Sequence, residues 1–482
     1  MHLTISMRIL GLLLMLFSST LLVPMGFALL DDDHTITSFA SALGLTFLAG
    51  LLLWLPVQHV RHELRIRDGF LVTSLFWTVL GIAGSLPFIL TAGLQLSPMD
   101  AIFESISGLT TTGATVITGL DDLPRSILIY RQLLQWLGGI GIIVIAVAVL
   151  PMLGIGGMQL YRAEIPGPTK DRKLTPRIAE TAKALFFVYL ALTVVCAVAY
   201  RAAGMSGFDA VAHSFSTVAI GGFSTHDASM GYFESNSILL ICSLFMVISG
   251  LNFGLHFLSW RRRSLNGYRQ DSESRFFLGV LLVGIAITCS YLILSDVLTI
   301  EDSLIHGLFM TISITTTSGF ATQDFSAWPT FLPVMLIMFS FMGGCVGSTA
   351  GGMKSVRLML IAKQGIRELK QLVHPKAVIP LKIGRHRVEA TVVSAVWSFF
   401  AVYMFVFVTM MLALLGTGLD FTTAFSAVAA CLNNLGPGLG EVAANYAGIS
   451  DVAKGLLCLA MLLGRLEIFT LLVLFTPMFW RL

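Results

Sequence analysis

The chain has 482 residues, of which 56% are hydrophobic and 12% are charged, and its net charge is +3. Soluble globular proteins carry about 25% charged residues, so this composition excludes a soluble enzyme and indicates a protein embedded in the lipid bilayer. The six cysteines stand singly in apolar stretches, without the spacing of a disulfide framework or of a cysteine metal site.

About ten apolar segments are long enough to cross a hydrocarbon core about 30 Å thick. The first follows Arg8 and is too long for the core of a signal peptide, so we interpret it as a retained span. The segments lie near residues 9–30, 38–57, 70–92, 127–150, 182–203, 236–258, 276–296, 330–361, 390–415 and 454–477. The shorter apolar segments cannot cross and must be re-entrant, interfacial or buried; they lie near residues 100–112, 209–219, 303–315 and 422–432. The sequence therefore predicts an all-α polytopic membrane protein.

Lysine and arginine residues cluster in alternate connections between the apolar segments, and the intervening connections are acidic or uncharged. The basic stretches lie at residues 61–67, 162–177, 261–275 and 354–387. By the positive-inside rule these stretches are cytoplasmic, and an even number of crossings then places both termini in the cytoplasm. The short apolar segments all fall on the outer side, as expected of pore loops that enter the membrane from outside and return.

The short segments resemble one another when they are aligned on a single glycine. The chain reads DAIFESISGLTTTGAT from Asp100, DAVAHSFSTVAIGGFS from Asp209, HGLFMTISITTTSGFA from His306 and TAFSAVAACLNNLGPG from Thr423. The aligned glycines are Gly113, Gly222, Gly319 and Gly436. Each repeat has room for a long span, a short helix with a loop, and a second long span. Fourfold repetition of this unit predicts one central pore.

The loops of these repeats are the candidate site. Irregular backbone at membrane depth is tolerated only where it is buried in protein or faces an aqueous cavity. Glycine lets the chain turn so that carbonyl oxygens face inward, and loops arranged around an axis form oxygen rings that replace the water of a monovalent cation. We expect the cation ligands to be the carbonyls of Thr112, Ile220, Thr317 and Asn434. The whole expected filter comprises Thr111, Thr112, Gly113, Ile220, Gly221, Gly222, Thr317, Ser318, Gly319, Asn434, Leu435 and Gly436.

The second span of the third repeat contains a glycine-rich stretch, and each glycine costs a helix roughly 1 kcal/mol relative to alanine. We expect this stretch to unwind inside the membrane, beneath the filter. It comprises Gly343, Gly344, Gly347, Ser348, Thr349, Gly351 and Gly352. The stretch is either a gate or a packing seam between helices. Lys354, at its end, is interpreted as a lysine at the cytoplasmic boundary.

Arg465 lies inside the last apolar segment, where a charge without a partner costs at least about 2.5 kcal/mol. It is therefore a candidate functional residue. Its partner could be a set of loop carbonyls or Glu467, although residues two apart face different sides of a helix.

Other polar residues lie beside the loops. Glu104 and His213 occupy the same position in the first two short helices, where a buried polar group needs partners, and we expect them to brace the filter; a proton-carrying role is the alternative. His226 and Asp227, just after the second loop, could form an outer cation site or simply a solvated loop.

The loop sequences carry a family resemblance that covers essentially the whole chain. The segments are TTTGAT, AIGGFS, TTSGF and NNLGPGLG, with MQLYRAEIPGP from Met158, GGCVGSTAGG from Gly343 and LGRLEIFTLLVLF from Leu463. The chain resembles the TrkH-type membrane subunits of bacterial Trk potassium-uptake systems, within the Trk/Ktr/HKT superfamily. The resemblance implies K+, and also Rb+, as the conducted ion. It also implies a homodimer and a cytosolic nucleotide-binding ring of the TrkA type as partner.

The resemblance further implies an architecture and a gate. Two N-terminal helices, at 1–60, would precede pore repeats at 61–160, 161–262, 263–375 and 376–482 that surround one pore. The glycine-rich stretch of the third repeat would be the gate, and Arg465 would contact it and add a positive barrier. In this superfamily serine at the first filter glycine is associated with sodium preference, whereas this chain has Gly113.

Two functions are compatible with these features. The first is potassium uptake across the bacterial inner membrane through a channel-like pore driven by the membrane potential. The alternative is a K+/H+ symporter working by alternating access, a class that usually has inverted or two-part repeats. An enzyme is disfavoured because the spans contain no assignable catalytic constellation. Glycine runs at Gly138 and Gly154 follow an apolar span rather than a strand, so we expect no nucleotide site in this chain. We also expect no other cofactor and no nucleic-acid partner.

Overall fold

The computed structural model describes residues 3–59, 66–148, 174–384 and 386–480. Within these ranges the chain is helical apart from loops and one small antiparallel hairpin, β1 (Lys382–Ile383) and β2 (His386–Arg387). The glycine run that begins at Gly154 and the MQLYRAEIPGP segment lie outside the described residues. The fold is an all-α membrane protein, as the sequence predicts.

Three helices precede the repeats, and the first and third of them pack closely together. They are α1 (Leu3–Thr20), α2 (Leu22–Leu30) and α3 (Ile36–Trp54). A Cβ atom at Gly11 of α1 would lie 2.6 Å from the carbonyl oxygen of Gly50 in α3, and a Cβ at Gly50 would lie 2.8 Å from the carbonyl oxygen of Gly11. Small residues at such a crossing let two helix backbones approach closely inside a membrane.

The repeats follow in order, each built around one short helix that we call a pore helix. The first repeat contains α4 (Ile66–Ala83), α5 (Leu86–Leu90), pore helix α6 (Pro98–Leu109) and α7 (Arg125–Ala148). The second contains α8 (Leu174–Ala202), pore helix α9 (Gly207–Ala219), α10 (Asn236–Gly250), α11 (Phe253–Arg262) and α12 (Asn266–Gln270). The third contains α13 (Ser272–Leu294), pore helix α14 (Ile300–Thr315), α15 (Phe331–Ser340) and α16 (Ser355–Val373). The fourth contains α17 (Ala390–Leu415), pore helix α18 (Phe421–Asn433), α19 (Asp451–Arg465), α20 (Phe469–Leu472) and α21 (Pro477–Trp480).

The pore helices begin with side-chain caps, which explains why short helices start at these points. Ser97, Ser206 and Thr299 each accept a hydrogen bond from the backbone N–H of an aspartate three residues later. Asp420 does the same for the N–H groups of Thr422 and Thr423. Such caps satisfy donors that the first helical turn leaves free, and the aspartates complement its positive end.

Six helical segments of the described chain are long and apolar enough to span a membrane: Leu3–Leu30, Ile36–Val57, Arg67–Leu90, Glu180–Ala202, Ser272–Leu294 and Ala390–Leu415. Two bent pairs raise this number to 8. The remaining predicted segments correspond to α7 and to the interrupted pair α15 and α16. Large apolar side chains on the spanning helices are exposed on the protein surface, for example Leu282 on α13 and Phe405 on α17, as expected for contact with lipid.

Second spans are interrupted in three repeats, whereas the sequence indicated an interruption only in the third. Helices α10 and α11 meet at 96°, and the side chain of Asn252 caps α11 by accepting the N–H of Gly254 at 2.7 Å. Helix α19 and the segment Phe469–Phe475 meet at 109°, where Glu467 and Ile468 have φ values of 53° and 58°. The spans predicted at 236–258 and 454–477 are therefore each divided by a sharp bend, which hydropathy does not reveal.

Candidate functional site

Each pore helix ends in the same kind of turn, and this turn starts the loop that the sequence predicts to be part of a filter, which we call the filter loop. A residue just beyond each helix is left-handed, with φ between 54° and 66°; these residues are Thr111, Ile220, Thr317 and Asn434. The N–H of the next residue donates to the carbonyl five positions back at 2.7 to 2.9 Å, in the pairs Thr112–Ser107, Gly221–Ser216, Ser318–Ser313 and Leu435–Ala430. This Schellman geometry satisfies carbonyls that the helix leaves free. Its recurrence gives the loops a common backbone course.

The aligned glycine follows immediately in every loop. Gly113, Gly222, Gly319 and Gly436 have φ values of 81°, 81°, 82° and 99°. L side chains rarely adopt such values, so the backbone conformation itself requires glycine at these positions.

The loops meet in a closed cyclic order. A Cβ atom on Gly113 would lie 2.1 Å from the carbonyl oxygen of Gly221, and one on Gly222 would lie 2.0 Å from that of Ser318. The same contact joins Gly319 to Leu435 at 2.0 Å and Gly436 back to Thr112 at 2.8 Å. We call the residues that contribute these oxygens the filter ring: Thr112, Gly221, Ser318 and Leu435. The glycines therefore allow neighbouring loops to approach closely enough to surround one axis.

The carbonyls named from the sequence as cation ligands come from two levels of this arrangement. Thr112 belongs to the filter ring, and its φ is not positive. Ile220, Thr317 and Asn434 are left-handed residues one position earlier, at the level of Thr111. The residues of the filter ring lie one position before the aligned glycine, and the left-handed residues lie two positions before it. Cation binding at either level stays a prediction.

A buried ion pair supports the first loop. Glu104 of pore helix α6 lies 2.8 Å from Arg131 of α7, and both side chains are buried. Glu104 also accepts the N–H of Val116 at 2.9 Å, and Arg131 donates to the carbonyl of Ser224 in the second loop at 3.0 Å. Sequence reasoning selected Glu104 but missed Arg131, which could have been found because it is a charged residue inside the predicted span 127–150.

His213, the counterpart of Glu104 in pore helix α9, is fully buried and hydrogen-bonded through both ring nitrogens. Its Nδ1 lies 3.0 Å from the carbonyl of Asp209, and its Nε2 lies 2.9 Å from Oγ of Ser224. Because Ser224 also contacts Arg131 through its carbonyl, His213 and the ion pair hold the same segment of the second loop.

An ionic contact joins the outer segments that follow the first two loops. Nδ1 of His226 lies 2.5 Å from Oδ1 of Asp121, and its Nε2 lies 3.5 Å from Oδ1 of Asp209. Asp227 accepts the N–H groups of Gly119 and Leu120. Within the described ranges no group of three or more His, Cys, Asp or Glu residues is arranged to hold a metal ion. In the outer loops, Asp227 is thus engaged by backbone N–H groups and His226 by carboxylates.

The pKa of His226 in this contact lies above its ordinary value. Burial alone would lower the pKa of His226, but the neighbouring carboxylates of Asp209 and Asp121 raise the pKa. The hydrogen bond to His226 lowers the pKa of Asp121. The ion pair is therefore favoured near neutral pH.

We expect the stability of the protein to fall as the pH rises, through His226. A raised folded-state pKa means that this stabilisation is complete below about pH 6.5, the unfolded value, and is lost as the pH rises through the folded value. His226→Gln should remove this pH dependence and lower the thermal midpoint at pH 6 by on the order of 2 °C. The pH dependence of the thermal midpoint is measured by thermal unfolding of the detergent-purified protein from pH 6 to 9. His34→Gln, at an exposed loop position, is the control; an unchanged pH profile in His226→Gln would contradict the expectation.

The glycine-rich stretch of the third repeat is a loop that lies against the pore helices. Helix α15 ends at Ser340 and α16 begins at Ser355. The N–H of Gly351 donates to Oγ1 of Thr317 in the third filter loop at 2.7 Å, and Oγ1 of Thr349 donates to the carbonyl of Val218 at the end of α9 at 2.9 Å. The N–H of Gly352 donates to the carbonyl of Asn433, the last residue of α18, at 3.0 Å. The loop thus contacts the C-terminal ends of the second, third and fourth pore helices.

Arg465 binds this loop. Its Nη1 donates to the carbonyl of Thr349 at 3.2 Å, and its Nη2 donates to the carbonyl of Gly138 in α7 at 3.3 Å. Its guanidinium carbon lies 5.5 Å from the centre of the Trp77 ring. Glu467, the alternative partner, instead pairs with Arg357 at 2.5 Å. The loop carbonyl is therefore the partner, and Arg465 connects the third repeat to the first.

Lys354 is not the boundary lysine that the sequence suggested. Its side chain is buried, its φ is 74°, and its Nζ donates to the carbonyl of Ala350 within the loop. Nearby, Glu273 of α13 accepts the N–H of Val346 at 2.8 Å and the hydroxyl of Ser355 at 2.9 Å. The loop is thus held at its base by a carboxylate that sequence reasoning did not select, because Glu273 sits in an ordinary first helical turn.

The chain is similar in sequence and in structure to one group of transport proteins. The family model TrkH, described as a cation transport protein, matches residues 35–482. The Trk system potassium uptake protein TrkH of Halomonas elongata is 58% identical over 100% of both chains, and that of Escherichia coli (strain K12) is 52% identical over 100% of both. The crystal structure of the potassium transporter TrkH from Vibrio parahaemolyticus is similar with a TM-score of 0.94 at 53% identity, covering 100% of both chains.

Proposed function

The chain belongs to the TrkH family of cation transport proteins, and we propose that it carries potassium into the cell through a channel-like pore. It is a multi-pass membrane protein of a transport family, and hence not an enzyme. The observation that carries the proposal is the cyclic contact of the glycine-containing loops, in which each aligned glycine lies against a carbonyl oxygen of the next loop. Rings of carbonyl oxygens can replace the hydration shell of a monovalent cation.

The proposed potassium ligands are the backbone oxygens of two successive levels. One is the filter ring; the other is the left-handed level, which includes Ile220, Thr317 and Asn434 of the predicted ligand set. All the pore helices direct their C-terminal ends toward these loops, and the partial negative charge there favours a cation over an anion. The absence of side-chain carboxylates from the predicted filter residues supports a monovalent ion.

The proposed gate is the loop between α15 and α16. Its support is the set of hydrogen bonds from Gly351, Thr349 and Gly352 to the pore helices and filter, together with the buried guanidinium of Arg465 beside it. An ion leaving the filter would meet this loop, so conduction requires the loop to move. The remaining gate residues of the prediction, Gly343, Gly344, Gly347 and Ser348, would supply the flexibility that such a movement needs.

We also propose the partners and the location that the family membership suggests. The protein would form a homodimer in the bacterial inner membrane, with both termini in the cytoplasm and the predicted division into 1–60, 61–160, 161–262, 263–375 and 376–482. A cytosolic TrkA-type ring would bind the nucleotide and regulate the gate, and this chain would carry no cofactor. The basic helix α16, which exposes Leu369 and Leu372, supports a docking surface on that side.

Tracer flux in liposomes tests the proposed function. Vesicles containing the purified protein and loaded with potassium should accumulate Rb+ down its own gradient without any pH gradient. Protein-free vesicles measure the leak. Failure to accumulate Rb+ under any ion gradient would overturn potassium transport itself.

The alternative function, K+/H+ symport by alternating access, is favoured by one observation. Second spans are interrupted in three of the repeats, and broken helices are typical of secondary transporters. In the same vesicles, uptake of Rb+ that depends strictly on an imposed proton gradient would favour symport over the pore.

A further inference from the structure

The second filter loop is held from behind by a single glutamine of the first repeat. Gln135 of α7 is fully buried, and its amide makes three hydrogen bonds to that loop and the pore helix before it. Its Nε2 donates to the carbonyl of Gly221 at 2.6 Å, and its Oε1 accepts the hydroxyl of Ser216 at 2.6 Å and the N–H of Phe223 at 3.1 Å. One side chain thus contacts the pore helix, the filter ring and the residue beyond the aligned glycine.

This contact explains why the second loop has two adjacent glycines. Gly222 requires glycine because its φ is 81°, but Gly221 has no positive φ. A Cβ atom on Gly221 would instead lie 2.3 Å from Cδ of Gln135. The other loops place Thr112, Ser318 and Leu435 at this position, so the absence of a side chain in the second loop makes room for the glutamine.

The hydrogen bond makes the filter ring asymmetric. Within the part of the chain that the structure describes, the carbonyl oxygens of Thr112, Ser318 and Leu435 accept no hydrogen bond, whereas that of Gly221 accepts one from a buried amide. A donor to a carbonyl oxygen restrains the position of that oxygen and occupies one of its two lone pairs. Both the size of a carbonyl ring and the field strength of its oxygens influence the choice between K+ and Na+.

We propose that Gln135 is a positioning residue for ion selectivity, which acts by holding the Gly221 carbonyl at a fixed distance from the pore axis. This inference rests on the proposed potassium pore and deepens it. Without the amide donor, the Gly221 oxygen is free to move toward a smaller ion, so the ring accommodates sodium better. The second loop is then the rigid member of the ring, and its restraint comes from another repeat.

The test is the permeability ratio of Na+ to K+, obtained from the reversal potential with one ion on each side of a bilayer containing the purified protein. This ratio does not depend on how many molecules are folded or open. Gln135→Leu removes all three hydrogen bonds of the amide, and it should raise the ratio about two- to tenfold, the change expected from the loss of the one that restrains the Gly221 carbonyl. Gln132→Leu is the matched control, because Gln132 lies one turn earlier on α7, is equally buried and has no hydrogen-bond partner among the described residues.

A second variant keeps the proposal testable if Gln135→Leu does not fold. In Gln135→Glu the carboxylate still accepts from Ser216 and Phe223 but cannot donate to Gly221 when it is ionised. Its Na+ to K+ ratio should therefore be raised at high pH and should return toward the wild-type value at low pH, where a protonated carboxyl donates. A purely structural role of Gln135 predicts no such pH dependence.

The outcomes separate the inference from the function on which it rests. A wild-type ratio in both Gln135 variants, or an equal change in Gln132→Leu, would overturn the positioning role while potassium conduction stands. A wild-type protein that passes neither K+ nor Rb+ would overturn the proposed function instead.

Discussion

Replacing Gly113 by serine should weaken the discrimination between potassium and sodium by roughly an order of magnitude. The new Cβ would lie 2.1 Å from the carbonyl oxygen of Gly221, a distance that real Cβ atoms do not show, so the first two loops must move apart. A serine at a φ of 81° also strains the backbone by about 1–3 kcal/mol. Since about 1.4 kcal/mol corresponds to a tenfold change, a strain of this size is enough to alter the ring.

The measurement is again the permeability ratio of Na+ to K+ from reversal potentials. Gly119→Ser is a matched control, because Gly119 follows the same filter loop and has a φ of 72°, but a Cβ there would meet open space. Both variants carry backbone strain, and only Gly113→Ser places an atom against the next loop. A wild-type ratio in Gly113→Ser would contradict the proposal that the first loop is part of the filter.

Replacing Arg465 by alanine should raise the resting flux of Rb+ at least about tenfold. The substitution removes the guanidinium bonds to the carbonyls of Thr349 and Gly138, and hydrogen bonds to charged groups are worth about 1.5–3 kcal/mol each. It also removes a buried positive charge from the path proposed for a cation. Both changes favour displacement of the loop and passage of the ion.

Arg465→Lys distinguishes the two contributions. Lysine keeps the charge, but its single ammonium group cannot reproduce the planar fork that reaches two carbonyls. A low flux in Arg465→Lys identifies the charge as the main barrier, and a raised flux identifies the hydrogen bonds. Tracer uptake into liposomes without the partner ring measures the resting state. Equal flux in Arg465→Ala and the wild type would contradict a role of Arg465 in the gate.

The outer ionic contact and the buried glutamine act at different places on the same loop. His226 joins the outer segments of the first two repeats through Asp121, and Gln135 holds the second filter loop from α7. The first repeat therefore supports the second at the mouth and behind the ring. A substitution at His226 should alter stability with pH, whereas one at Gln135 should alter selectivity, which allows the two supports to be separated experimentally.

Much of the architecture follows from the sequence because its signals are local. The length of the apolar segments requires a membrane fold, and the glycines at 343–352 interrupt a helix within one short stretch. The repeated glycine is also a local signal, because its positive φ depends on the turn that precedes it. Arg465 stands out for the same reason, as a charge within an apolar run.

Only the tertiary structure decided which groups meet. Gln135 and Gly221 are 86 residues apart, and Arg465 and Gly138 are 327 apart, so no pattern within a window of the sequence could pair them. The bends after Gly250 and at Glu467 likewise make contact with the third repeat, since the carbonyl of Gly250 accepts the N–H of Cys345 and Glu467 pairs with Arg357. Hydropathy and periodicity indicate whether a segment, or one face of it, contacts lipid, water or the protein interior. The partner of a buried polar group is set by the packing of distant helices, and that packing brought the loops into cyclic contact, Gln135 to the carbonyl of Gly221, and Arg465 to the carbonyl of Thr349.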